Sequence, residues 1–233
     1  MLSAFGELAA AAILFVGGHF LLSATPIRER LVARFGQYGF LVLYSIIAIA
    51  TLAWMILSFG RAPYVGIWGS PPWASALAFI IMPFSAMLVT AGYLTPNPSA
   101  VMIGDIALQH DDPARGIFRI TRQPVMVGMA LWAAVHVIAN GDISAILLFG
   151  SILILAVGGI AHLESRRRAS GDPRWRRLTA VTSILPFSAI IEGRTRFAFS
   201  PLDWGRVVLG LVLYAVLIHI HGWAFGVYLV GEP

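Results

Sequence analysis

The arginines of this chain are confined almost entirely to alternate connections between long apolar stretches. All 16 basic residues are arginine, and 15 of them fall in three of these connections. Each apolar stretch is close to the roughly 20 residues that cross a bilayer core of about 30 Å. The pattern predicts an all-α polytopic membrane helix bundle of about six transmembrane helices, at residues 2–22, 40–59, 73–94, 125–139, 143–161 and 207–230.

The charged connections also predict an orientation. The first, third and fifth connections contain three, three and nine arginines, the second contains one, and the fourth contains none. Positively charged loops stay on the cytoplasmic side of a membrane. We therefore expect a multi-pass membrane protein with both termini facing outward, which is the periplasmic side if the membrane is a bacterial inner membrane.

Composition excludes several classes of protein. Hydrophobic residues make up 58% of the chain and charged residues 12%, unlike soluble domains, and we interpret residues 1–233 as a single transmembrane domain. The net charge of +5 lies on one predicted membrane face, where anionic lipid headgroups, and no nucleic acid, are the expected partners. The absence of cysteine excludes disulfides, iron–sulfur clusters and thiolate ligation of haem.

The fifth connection is long and basic, but it is interrupted by an apolar segment at residues 184–191. A segment of this length is too short to cross a bilayer, which takes roughly 20 helical residues. We therefore expect a basic interfacial or re-entrant segment between the fifth and sixth helices.

Four histidines lie within the predicted spans, where an ionisable side chain needs a partner or a wet cavity. At a rise of about 1.5 Å per residue, His19 lies about 12 Å and His136 about 18 Å from the arginine-rich face, so the two can share one level. His219 and His221 lie at about 20 Å. These side chains are candidate metal ligands, structural hydrogen-bonding groups or parts of a proton or ion relay.

Paired imidazoles from neighbouring helices are typical of haem ligation, whereas zinc usually takes three or four protein ligands. Glycines stand near the histidines, at positions 17, 18, 128 and 210. Glycine allows close helix approach, and we expect these positions to leave space for a macrocycle.

Three motifs occur in order along the chain. They are GHFLLS at 18–23 followed by Arg28, GIFRITRQP at 116–124 followed by Trp132 and His136, and TSILPFSAI at 182–190 followed by Gly193 and Arg194. Together they closely resemble the NnrU family of bacterial membrane proteins and, more distantly, the plant 15-cis-zeta-carotene isomerases. The resemblance extends from about Phe15 to Gly226.

The resemblance implies a haem b protein. The isomerases ligate iron through the histidine of the first motif and the histidine that closes the tryptophan-containing helix, which correspond to His19 and His136. They can also offer a cysteine one turn before the second ligand, where this chain has Ala133. A ligand switch would therefore need another residue, such as His219. His221 matches a histidine near the family's C-terminus that would orient a propionate or line the cavity.

The cytoplasmic arginines have two interpretations. Most of them anchor that face of the protein to lipid headgroups. Alternatively, some of Arg119, Arg122, Arg176 and Arg194 converge on haem propionates or another anion, because guanidinium forks suit carboxylate and phosphate.

One position departs from the family pattern. Members usually read Arg-His-Pro where this chain has Arg122-Gln123-Pro124. In the more distantly related isoprenylcysteine and phospholipid methyltransferases, that position helps to hold S-adenosylmethionine, so Gln123 argues against methyl transfer. Those enzymes also carry a Glu-Glu pair where Glu164 stands alone here.

Three functional hypotheses follow. The first is a haem-dependent cis–trans isomerase of a hydrophobic polyene, with His19 and His136 as catalytic iron ligands and the bilayer as the source of the hydrophobic small-molecule substrate. The second is a haem protein for sensing or electron transfer, linked to nitric oxide and denitrification and served by a redox partner. The third is an S-adenosylmethionine-dependent lipid or isoprenylcysteine methyltransferase.

Overall fold

The computed structural model describes residues 2–98, 104–109, 112 and 114–227. Within these ranges, five helices are long and apolar enough to cross a membrane, and one shorter apolar helix accompanies them. The prediction of an all-α membrane bundle is confirmed. The long helices are α1 (Leu2–Ala24), α2 (Pro26–Phe59), α3 (Pro72–Leu94), α6 (Ile143–Ala169) and α9 (Pro201–Phe225); α5 (Pro124–Asn140) is the shorter apolar helix, and α4 (Gly104–Ala107), α7 (Pro173–Val181) and α8 (Ser188–Ile191) lie in the connections.

Helix α2 begins well before the predicted apolar span. The side chain of Thr25 accepts a hydrogen bond from the Ile27 amide at 3.2 Å and caps the helix, and Pro26 at the first position has no backbone N–H that would need an acceptor. Gly36 then leaves helical geometry, with φ 71° and ψ 171°. The first arginine-rich connection is therefore itself helical, and Gly36 separates it from the apolar part of α2.

Helix α9 begins at Pro201, six residues before the start that hydropathy predicted. Ser200 and Asp203 form a capping box, in which the Asp203 amide donates to the Ser200 hydroxyl at 3.3 Å and the Ser200 amide donates to the Asp203 carboxylate at 3.0 Å. Arg206 lies within the helix and donates to Asp203 at 3.0 Å. The polar cap thus extends the helix beyond its apolar stretch. Residues 228–230 of the predicted span lie outside the described residues.

The helices form two compact units that alternate along the chain. The first unit contains the chain up to Ala74 together with Ala133–Gly159. There α1 packs against α2. A hydrophobic cluster contains Leu8 and Phe15 of α1, Met55 of α2 and Leu148 of α6. Because lipid is as apolar as these side chains, close van der Waals packing holds such a cluster together.

The second unit contains Ser75–Trp132 and the chain from Ile160 onward. Its core includes Leu88 of α3, Phe118, Ile120, and Val127 of α5. Three interpretations stay predictions: that residues 1–233 form one domain, that the membrane is a bacterial inner membrane, and that both termini are periplasmic.

The close helix approach predicted at Gly128 and Gly210, both in the second unit, is confirmed. A Cβ at Gly128 would lie 2.9 Å from the Ser85 carbonyl oxygen, and the Ser85 hydroxyl donates to the Gly128 carbonyl at 2.7 Å. A Cβ at Gly210 would lie 2.8 Å from the Met87 Cα. Gly17 and Gly18 in the first unit have open space within 4 Å of such an atom, so the predicted close approach at these two positions is wrong.

The apolar segment of the fifth connection divides between core and surface. Ile184 and Ile190 pack against the core of the second unit, and Ala189 is fully buried. Leu185 and Ile191 are 72% and 82% exposed. The segment thus packs partly into the core of the second unit and exposes other apolar side chains. Such exposed side chains suit contact with lipid, as expected of an interfacial or re-entrant segment.

Candidate functional site

His19 lies on α1 with one ring nitrogen fixed by the helix itself. Its Nδ1 lies 2.6 Å from the Phe15 carbonyl oxygen, one turn earlier. Because a carbonyl only accepts, Nδ1 carries the proton and Nε2 presents its lone pair. The ring packs edge-to-face on Phe15 and Tyr44, with centroids 4.6 and 5.3 Å apart. An imidazole oriented in this way is a suitable metal ligand through Nε2.

His136 lies on α5 in the same unit as His19. Its ring stacks on Phe149 of α6, with centroids 4.6 Å apart. Phe149 packs against the hydrophobic cluster that contains Phe15. The two histidines that the sequence paired are thus in one compact unit, each in contact with a phenylalanine of the same cluster. Ala133, one turn before His136, is fully buried.

The other candidate histidines belong to the second unit. His219 is exposed on α9. His221 lies near the C-terminal end of that helix, where its Nδ1 is 3.0 Å from the Val227 carbonyl oxygen and its ring contacts Phe225. Among the described residues, no group of three or more His, Cys, Asp or Glu side chains is placed to hold a metal ion. Their predicted roles at a cofactor stay predictions.

The second unit contains a buried ion pair. It involves Glu164, which stood alone in the sequence analysis. Arg122 donates through Nε and Nη2 to the two oxygens of Glu164, at 2.8 and 2.9 Å. Gln123 donates to the same carboxylate at 2.9 Å. These three residues are 8%, 6% and 2% exposed in the order Arg122, Glu164, Gln123. The fork geometry and the third donor satisfy a carboxylate that would otherwise be costly to bury.

Arg122 and Arg194 meet at one backbone carbonyl. Both donate through Nη1 to the Thr182 oxygen, at 3.2 and 2.7 Å. The Arg122 amide also donates to the Ser183 carbonyl at 2.8 Å. Two guanidinium groups therefore hold the turn that follows α7.

Arg119 and Arg194 have further partners within the protein. Arg119 donates to Thr195 Oγ1 at 2.8 Å and pairs with Asp112. Hydrogen bonds from Ser188 and Arg194 lower the pKa of the Glu192 carboxyl. The structure thus gives Arg119, Arg122 and Arg194 partners in the chain, and their predicted contact with haem propionates stays a prediction.

The pairing of Arg122 with Glu164 was missed at the level of sequence, although a signal was present. Glu164 follows a long apolar stretch, and an acidic side chain near membrane depth needs a cation. Arg122 and Gln123 stand at the start of α5, next to a proline that begins the helix. The assignment of Arg122 to an anionic ligand overlooked the carboxylate within the chain.

Comparison with known proteins decides the family. The model of the family described as NnrU protein matches residues 7–229. The chain belongs to the NnrU family.

A further relative of this NnrU-family chain is the chloroplastic 15-cis-zeta-carotene isomerase of Zea mays. The two are 30% identical over 101 residues, which cover 43% of this chain and 27% of the isomerase. The match therefore spans about a quarter of that relative's length. No solved structure matches the chain. These findings do not show the predicted relation to methyltransferases, which stays a prediction.

Proposed function

We propose that this protein binds haem b through His19 and His136 and isomerises a cis double bond of a hydrophobic polyene within the membrane. The observation that carries the proposal is the state of the His19 ring. Its Nδ1 is committed to the Phe15 carbonyl, which directs the Nε2 lone pair outward from the helix turn.

The surroundings of the two histidines suit a haem. Gly17 is exposed and Gly18 is half-buried, and no neighbouring atom lies within 4 Å of where a Cβ would stand at either, so the surface of α1 next to His19 is open. The adjoining rings of Phe15, Tyr44 and Phe149 are aromatic and provide an apolar wall. Two imidazole ligands match a two-ligand haem better than a zinc ion, which takes three or four ligands.

The proposed substrate follows from the relative and from the surface of α1. The relative's name specifies isomerisation of 15-cis-zeta-carotene, a hydrophobic polyene. On α1, Ile13, Leu14 and Leu21 are 70%, 52% and 52% exposed. A polyene dissolved in the bilayer therefore meets an apolar surface close to His19. Haem would supply an iron centre that would interact with the π electrons of the substrate once one of the two imidazoles is displaced, and the chain would hold the iron through the other imidazole and exclude water.

The first experiment tests haem binding. The protein is purified in mild detergent from haem-supplemented cells, and its oxidised and reduced absorption spectra are recorded. We expect a Soret band with sharp reduced α and β bands. His19→Phe and His136→Phe keep an aromatic ring but remove the ligand nitrogens, so each is expected to abolish the bands. His110→Phe, outside the proposed pair, is the matched control and is expected to retain them. Haem absorption bands that persist in both His19→Phe and His136→Phe would contradict the proposal.

The second experiment tests the reaction. The reduced and the oxidised protein are incubated with 15-cis-zeta-carotene in vesicles, and the isomers are separated by chromatography. We expect conversion by the wild-type protein and none by His19→Phe. A protein that binds haem and nitric oxide but leaves the carotenoid unchanged would refute the isomerase activity and favour the sensing or electron-transfer hypothesis.

A further inference from the structure

One face of α6 forms the wall of an open groove in the second unit. The groove has a volume of about 500 Å³ and is lined by Ala161, Glu164, Ser165, Arg168 and Ala169. These positions follow the spacing i, i+3, i+4, i+7 and i+8, so they lie on the same side of the helix. Alanine and serine provide little bulk at three of these positions.

The charge of the groove wall is positive. Glu164 contributes no net charge because Arg122 neutralises it with two hydrogen bonds. Arg168 is exposed, and its guanidinium has no hydrogen-bond or ion-pair partner among the residues that the structure describes. A guanidinium that is open to a groove favours an anion with several oxygen acceptors, such as a phosphate.

The groove lies where the apolar part of α6 gives way to its basic end. The predicted span ends at Ala161, and three consecutive arginines follow at 166–168. Arginine-rich helix ends lie at the level of the lipid headgroups. Arg168 stands seven positions after Ala161, which is a rise of about 10 Å at about 1.5 Å per residue, so the groove extends from the acyl region to the headgroup region.

We propose that this groove binds an anionic phospholipid, with Arg168 holding the phosphate, the Ser165 hydroxyl donating to it, and the upper acyl chain lying against Ala161. Basic pockets on the cytoplasmic face of helix bundles are suited to such headgroups. The proposal is independent of haem, because every residue that carries it lies in the second unit, whereas His19 and His136 lie in the first.

The test uses the full chain, delipidated in detergent, and native mass spectrometry with added dioleoyl phosphatidylglycerol or dioleoyl phosphatidylcholine. We expect the wild-type protein to retain phosphatidylglycerol preferentially. Arg168→Gln removes one charge-assisted contact and is expected to weaken retention about tenfold. Ser165→Trp fills the groove without changing charge and is expected to prevent binding. Both side chains are exposed, and helical content is checked by circular dichroism.

Arg177→Gln is the matched control, because Arg177 is an exposed arginine on α7. It is expected to retain phosphatidylglycerol as the wild type does. Equal losses in Arg168→Gln and Arg177→Gln would mean that surface charge alone attracts the lipid, and the groove would be ruled out. A further arm offers inorganic phosphate alone. If inorganic phosphate displaces bound phosphatidylglycerol as effectively as an equal concentration of added phosphatidylglycerol does, the ligand is a free anion and the lipid assignment is overturned. Unchanged binding in Ser165→Trp overturns it too.

Discussion

His19 and Glu164 are both ionisable side chains on long apolar helices, and their surroundings are opposite in kind. Glu164 receives three donors from two other side chains. Among the described residues, the His19 side chain has one hydrogen-bond partner, the Phe15 carbonyl of its own helix, and its ring packs against Phe15 and Tyr44. A polar group that the chain satisfies on its own stabilises the fold, whereas one that keeps an unused nitrogen is able to bind something else. The comparison predicts which substitution damages stability and which damages function.

The largest effect on stability is expected from Glu164→Ala. The change leaves the Arg122 charge buried without its carboxylate, which typically costs about 3–5 kcal/mol of unfolding free energy. Thermal and chemical unfolding in detergent, followed by circular dichroism, measures it.

Two controls sharpen this prediction. The double variant Arg122→Met with Glu164→Met removes both charges, and we expect it to recover much of the loss. Glu192→Ala removes an exposed ion pair with Arg194, and we expect a far smaller change. Equal destabilisation by Glu164→Ala and Glu192→Ala would erase the proposed contrast between the two kinds of site.

The next largest effect separates crowded and open glycines. Gly210→Ala places a Cβ 2.8 Å from the Met87 Cα, so the backbone of α3 or α9 must move. Overpacking of this kind costs about 1–3 kcal/mol. Gly17→Ala meets open space on α1, and helix propensity favours it by less than about 1 kcal/mol. Unfolding temperatures of the two variants check the contrast, which fails if Gly17→Ala is as damaging as Gly210→Ala.

His19→Phe should change stability little. The phenyl ring preserves the contacts with Phe15 and Tyr44, and the lost hydrogen bond is worth about 1 kcal/mol. Its unfolding temperature is compared with that of Glu164→Ala in haem-free protein, so that ligand binding does not contribute. A loss as large as that of Glu164→Ala would make His19 a structural residue and remove the contrast.

The smallest effect is expected at Asp172, which caps α7 on the surface. The hydrogen bond from Arg174 holds the pKa of this carboxyl below its ordinary value. A lowered folded-state pKa stabilises the fold at pH above about 4, and the contribution is lost as the pH falls through the lowered pKa. Asp172→Asn keeps the capping oxygen but cannot titrate. The difference in unfolding temperature between wild type and Asp172→Asn should therefore shrink from pH 6 to pH 3, and a constant difference would contradict it.

The long apolar helices could be predicted because their signal is local. Hydropathy alone located the apolar parts of α2 and α9. The first turns of these helices depend instead on capping hydrogen bonds from polar residues, Thr25 for α2 and Ser200 with Asp203 for α9. A hydropathy average therefore missed the polar turns.

The candidate site was predictable only in part. The depth of His19 and His136 along their spans is a one-dimensional property and placed both side chains at one level, whereas their pairing at a cofactor stays a prediction. The partnership of Arg122 with Glu164 joins residues 42 positions apart and depends on packing. Sequence spacing shows which residues share a helix face, but it does not show which helices meet.

The alternation of the two units along the chain has a consequence for biosynthesis. The cluster of the first unit needs Leu148 as well as Leu8 and Met55. Roughly 90 residues separate Met55 from Leu148, so at 5–20 residues per second the ribosome delivers the last member about 5 to 20 s after the second. In water, an unfinished apolar surface would invite aggregation during that interval. In the bilayer, acyl chains cover α1 and α2 until α6 has been synthesised, and α6 then displaces only lipid when it packs against them.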